Sequence, residues 1–172
     1  MGFLHGYQAF NFAMPTTAAP VPVTTGTAIK TMLQVAPTRL IELLEWGYTI
    51  DDLPGADSVF ELLSTGTVAA TVTAHSSTGI VKLGNPASDA SQVTLGVSAT
   101  GFTASAEGAI TATRLFDAVT MSSTSAEAAP FMTYRKTFMP GEFQVAASDI
   151  LRVRVTTPTT AVGMLTYVKW LE

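Results

Sequence analysis

The sequence predicts an all-β chain, a jelly-roll-like β-sandwich preceded by an extended N-terminal arm. Three observations carry that expectation. Apolar and polar residues alternate with period two in the clearest segments, as in Leu151, Val153 and Val155 against Arg152 and Arg154. Turn-forming clusters punctuate the chain at short intervals, and no long stretch keeps a helical period. Charge is scarce: 13% of the 172 residues are Asp, Glu, Lys or Arg, against roughly 25% in soluble domains. Thr, Ala, Ser and Val take their place.

Residues 1–14 carry Phe3, Leu4, Tyr7, Phe10, Phe12 and Met14, and Pro15, Pro20 and Pro22 follow. A proline-rich stretch cannot be a regular helix and reads as an extended linker. Residues 1–22 are therefore expected to be an arm and linker, and 23–172 a β-sandwich domain. An exposed aromatic arm is a liability unless it docks, either on its own domain or on another subunit. Strands are expected over Ala28 to Val35, Gly108 to Phe116, Phe131 to Phe138, Ile150 to Thr157 and Met164 to Leu171. The last is apolar on both faces, which suits a strand covered on both sides. Asp52-Leu53-Pro54-Gly55, Leu83-Gly84-Asn85-Pro86 and Met139-Pro140-Gly141 read as turns. Arg39 to Trp46 has helix formers with Leu40, Leu43 and Leu44 at helical spacing, and Ser58 to Leu63 is similar. Both are short and lie among strands, so both are read as strands. Residues 74–106, rich in Ser, Thr, Gly and Ala, read as long loops with short strands around Ile80 to Leu83 and Gln92 to Val97. The two-sided final strand suits a jelly roll, in which two sheets share one core.

The chain lacks cysteine, which excludes disulfides, thiolate metal sites and a cysteine nucleophile. A net charge of −4 argues against nucleic acid as the main partner. No apolar run approaches the ~20 residues that span a bilayer, and the start has no secretory pattern. Gly6 stands where a myristoylation signal wants Ser or Thr.

Catalytic sets do not assemble. Glu42 and Glu45, three apart, are expected on opposite faces of a regular strand. Asp51 and Asp52 read as turn residues that satisfy backbone donors. His5 and His75 are the only histidines, with no nucleophile elbow and no metal-ligand spacing. No EF-hand loop is present, and Gly96 to Gly101 lacks the Lys-Ser/Thr pair of a phosphate cradle. No catalytic residue, cofactor or metal site is therefore expected. Arg135-Lys136 beside Tyr134 and Phe138, and Arg152 with Arg154, are the nearest approach to a basic patch. They read as a solvated sheet face or as salt bridges to a neighbouring subunit. Trp46, Tyr48, Tyr167 and Trp170 would be a sugar-stacking platform if exposed, although buried core is the commoner fate of such aromatics.

The chain resembles a small structural protein of tailed bacteriophages that infect actinobacteria. The resemblance spans residues 28 to 172. It rests on Ala28-Ile29-Lys30-Thr31-Met32-Leu33-Gln34, Glu45-Trp46-Gly47-Tyr48, Gly101-Phe102-Thr103-Ala104-Ser105-Ala106-Glu107-Gly108, Arg114-Leu115-Phe116-Asp117, Leu151-Arg152-Val153-Arg154-Val155 and Val168-Lys169-Trp170. It implies a non-enzymatic decoration, or cement, protein on the outer capsid surface. Such a protein would bind the major capsid protein lattice, often as a trimer, and assemble in the bacterial cytoplasm with no direct nucleic-acid or membrane contact. The expected interface residues are Phe3, Tyr7, Phe10, Phe12, Tyr167 and Trp170. Alternatives are a minor tail or baseplate protein and a carbohydrate-binding module for host glycans.

Overall fold

The structure, a computed structural model, describes residues 5–14, 20–123 and 132–172. The described strands are β1 Gly6–Phe10, β2 Val23–Thr24, β3 Ile29–Val35, β4 Ile41–Ile50, β5 Ser58–Ser64, β6 Thr71–Ala74, β7 Val81–Leu83, β8 Gly101–Ala106, β9 Arg114–Met121, β10 Thr133–Thr137, β11 Gln144–Val145, β12 Leu151–Thr156 and β13 Gly163–Leu171. They form two antiparallel sheets. The seven-stranded sheet runs β10-β4-β13-β1-β7, with β11 also on β4 and β2 also on β13. The six-stranded sheet runs β6-β8-β3-β12-β5-β9. The chain is thus an all-β sandwich, as its period-two alternation predicts. The pairing does not bear out jelly-roll connectivity, an eight-stranded pattern.

The core lies between the sheets. Tyr7, Leu43, Trp46, Tyr48, Val168 and Trp170 come from the seven-stranded sheet, and Leu33, Phe60, Leu62, Leu151 and Val153 from the six-stranded one. Tyr48 stacks on Phe60 across the gap, with centroids 4.3 Å apart. Two aromatic tips share a partner at the rim: Asp117 Oδ2 accepts from Trp46 Nε1 at 2.9 Å and from the Tyr134 hydroxyl at 2.8 Å.

The main departure concerns the arm. Gly6–Phe10 is a strand inside the sheet, paired to β13 on one edge and to β7 on the other. Hydrophobicity identified its anchors but not their destination: Tyr7 and Ala9 bury against the sandwich's own core. The boundary expected near Val23 therefore separates no independent arm among the described residues. Phe3 lies outside the described residues.

Segment 39–46 shows how helical spacing arises in a strand. Leu43 pairs with Trp170 and Glu45 with Lys169, so Leu44 is an extra residue at a bulge. The bulge makes Leu43 and Trp46, three apart, share the inner face. It also corrects the expectation for Glu42 and Glu45, which face the same way opposite Leu171 and Lys169.

The strand expected over Gly108 to Phe116 starts only at Arg114. Gly108 has φ +68, and Thr111 N–H bonds Thr65 O instead of joining a ladder. This segment and residues 66–70 cover the outer face of the six-stranded sheet. The Gln34 amide holds Ala70 and Ala99, and the Glu107 carboxylate accepts from Thr31 N and Oγ1 at 2.6 Å each. Gln92 to Val97 is a loop with isolated bridges at Val93 and Leu95.

Candidate functional site

The outer face of the seven-stranded sheet is built by strand alternation. In β1, Tyr7 and Ala9 point into the core and Gly6, Gln8 and Phe10 point outward. In β13, Met164, Thr166, Val168 and Trp170 point inward, and Leu165, Tyr167, Lys169 and Leu171 outward. The register sets Phe10 opposite Tyr167 and Gln8 opposite Lys169.

This parity divides the residues expected at an interface. Tyr7 and Trp170 meet in the core at 6.2 Å, with 1% and 0% of their surface exposed. They are structural, a correction to their expected role. Phe10 and Tyr167 are half-buried on the outer face, whereas Phe12, 9% exposed, is buried against Phe10, a correction to its expected place at an interface. Phe10 stacks on Phe12 at 5.1 Å and tilts against Tyr167 at 6.1 Å. With Pro20, Thr49 and Leu165 they line a pocket of about 240 Å³.

Beside the aromatics lies a charge cluster. The Glu45 carboxylate accepts from the Tyr167 hydroxyl and from Lys169 Nζ, each at 2.7 Å, and Arg135 Nε is 3.9 Å away. Burial pushes the Glu45 carboxyl up, but the bonds from Lys169 and Tyr167 outweigh it and hold the group below the ordinary range. Glu45 is therefore an ionised anchor and not a general acid. Gly47 makes the arrangement feasible: a Cβ there would lie 2.6 Å from Tyr134 O and 3.0 Å from the Tyr167 hydroxyl.

The end of β1 is fixed from two sides. Buried Asn11 accepts from Thr166 N at 2.9 Å and donates to Met164 O at 2.8 Å, completing the ladder where β1 stops. His75 Nε2 is 2.8 Å from Phe10 O, and with that carbonyl as acceptor the nitrogen is the donor. Burial pushes the imidazole pKa down, which favours the neutral ring. Neither polar residue had a recognisable sequence signal, because each acts on a strand that is distant in sequence.

The remaining candidates are occupied structurally. Trp46, Tyr48 and Trp170 are at most 2% exposed, so none of them offers a sugar-stacking surface. Arg152 is fully buried and donates to the carbonyls of Glu107 and Val68, while Arg154 pairs with Glu61. These are bonds within the chain, not a basic patch. Asp51 accepts from Gly163 N and Asp52 from Leu53 N, both at 2.7 Å. His5 pairs through its backbone with Glu172. Among the described residues no group of His, Asp and Glu is placed to hold a metal ion, and no helix is long and apolar enough to cross a membrane. No protein-family model, curated protein or solved structure matches the chain.

Proposed function

We propose that this chain is a non-enzymatic virion protein that decorates a phage capsid, binding the major capsid protein lattice on the outer shell as a trimer. The observation that carries the reading is the half-buried pair Phe10 and Tyr167 on the outer sheet face, backed by buried Phe12. Aromatic anchors set in a polar rim are the composition of protein interfaces. The segments that carry the phage resemblance lie largely on β3, β4, β8, β9, β12 and β13, four strands of the six-stranded sheet and the two longest of the other. The Glu45 carboxylate beside the patch is bound by Lys169 and the Tyr167 hydroxyl, which suits adhesion better than acid–base chemistry. A protein that binds the assembled shell in preference to free subunits stabilises the particle by mass action, and many copies on one lattice make a modest interface sufficient.

The test is co-sedimentation of the full chain with shells assembled from the major capsid protein, followed by electron microscopy of the particles. Shell-wide occupancy is expected. Truncating one interface aromatic costs about 2 kcal/mol, so Phe10→Ala or Tyr167→Ala should weaken binding about 30-fold while the protein stays folded. Absence of shell binding, or binding unchanged by both substitutions, overturns the reading. Density confined to the tail would replace it with a tail or baseplate role.

A further inference from the structure

The outer face of the seven-stranded sheet carries one row of residues across four strands. Phe10 pairs with Tyr167, and Tyr167 and Arg135 each pair with Gly47. The Tyr167 ring leans over Gly47, since a Cβ there would meet its Cε1 at 3.1 Å and its hydroxyl at 3.0 Å. The row therefore runs from an aromatic end to a cationic end.

The two ends ask for different chemistry. The pocket at the aromatic end has no charged residue in its walls, and Phe10, Phe12, Pro20, Leu165 and Tyr167 make it mainly apolar. At about 240 Å³ it is smaller than sites that enclose a whole small molecule, and it suits one apolar side chain. At the other end the Arg135 side chain is 70% exposed. Its neighbours on this face, by register, are Thr133, Thr137, Thr49 and Glu45. Glu45 is already committed: its carboxylate accepts from Tyr167, Lys169 and Thr137, while Arg135 Nε stands 3.9 Å off. Among the described residues the Arg135 guanidinium has no hydrogen-bond acceptor. Covered by a partner it needs one, because an unpaired cation taken out of water is costly, and a carboxylate matches its fork.

We infer, resting on the capsid reading above, that the shell surface meeting this face is an extended segment with an apolar side chain for the pocket and a carboxylate for Arg135. Phe10 and Arg135 are three strand spacings apart, about 14 Å. Four residues of extended chain span about 13 Å and put both side chains on one face of the segment. The partner motif is therefore an apolar residue with Asp or Glu four positions away, crossing the strands along the row.

The full chain and its variants are titrated against shells assembled from the major capsid protein, at low and high salt. Arg135→Glu is expected to weaken binding about tenfold or more at low salt, with the difference shrinking as salt screens the pair. Arg135→Gln should fall between, without setting a second carboxylate beside Glu45, and Arg135→Lys should stay within about threefold of the parent. Thr49→Trp, at an exposed position in the pocket wall, should weaken binding about tenfold at every salt concentration. Melting temperatures should match the parent in all four, which separates a docking loss from a folding loss. If the parent binds shells and Arg135→Glu binds equally well, or loses affinity to the same extent at every salt concentration, no carboxylate faces Arg135. The inference then fails while the capsid reading stands. Parent-like binding by Thr49→Trp overturns the pocket half in the same way. If the parent itself does not bind shells, the capsid reading fails and this inference falls with it.

Discussion

Replacing Asn11 by alanine tests a fully buried polar contact that closes the β13 edge. Asn11 is fully buried, and its side chain satisfies two backbone groups of β13, Thr166 N–H and Met164 C=O. Asn11→Ala strips both in a water-poor site. A buried group left without its partner costs about 1–3 kcal/mol, so the pair should cost about 2–4 kcal/mol after some relaxation. With a urea dependence of about 2 kcal/mol per molar, the unfolding midpoint falls by about 1–2 M. Trp46 and Trp170, both buried, report unfolding by fluorescence, and amide exchange at Thr166 reports the local loss. Asn11→Asp keeps an acceptor for Thr166 but sets oxygen against the Met164 carbonyl, so it should be no milder. A midpoint shift under about 0.3 M, with the Thr166 amide still protected, would refute the reasoning, because it would put the cost below about 0.6 kcal/mol.

Three further outcomes follow from buried titratable groups. Burial lowers the His75 pKa, with the Phe10 bond opposing, so the folded chain takes up this proton at lower pH than the unfolded chain, which does so near 6.5. The stability is complete above about pH 6.5 and declines as pH falls towards the folded value, by up to about 1.4 kcal/mol per unit. His75→Gln, which keeps a donor for Phe10 O, should flatten melting temperature between pH 7 and 5.5, and parallel curves for the two proteins would disprove this. All four tyrosine hydroxyls are pushed above their ordinary value, first by burial and then by neighbours such as Glu172, Asp117 and Glu45, with Tyr134 at about 12. Their contribution is complete below about pH 10 and lost as pH rises towards the folded values. Ultraviolet titration should show phenolate only together with alkaline unfolding, and a separate step near pH 10 in folded protein would contradict the burial argument. Arg152→Met removes the donors to the carbonyls of Val68 and Glu107, while the Glu107 carboxylate keeps its bonds from Thr31, and should cost about 2–4 kcal/mol in denaturant unfolding. A loss under about 1 kcal/mol would show that the guanidinium is dispensable.

Legibility in the sequence follows the range of the interaction. Leu151 to Thr156 and Gly163 to Leu171 announce themselves because their alternation is written into adjacent residues. The turns at Asp52 to Gly55 and at Met139 to Gly141 are equally local. The bulge at Leu44 was hidden, since inserting one residue shifts parity and mimics a helix. β6 and β8 were obscured by Ser, Thr, Gly and Ala, which carry little apolar contrast. At the candidate site, Phe10, Phe12 and Tyr167 were identifiable as aromatics with no assured core role. Their separation from Tyr7 and Trp170 needed the register of β1 on β13.

The sequence by itself determined that this protein is built of β-strands, because side-chain alternation, turn chemistry and the lack of a sustained helical period are properties of neighbouring residues. It also determined which side chains would need cover. Only the tertiary structure decided what covers them. It took an expected arm into the sheet between β13 and β7, buried Trp46 and Trp170, and closed Arg152 onto the loop layer above it. The physical reason is that apolar burial is non-directional: it makes a residue seek cover, while backbone pairing with a strand more than a hundred residues away chooses the partner.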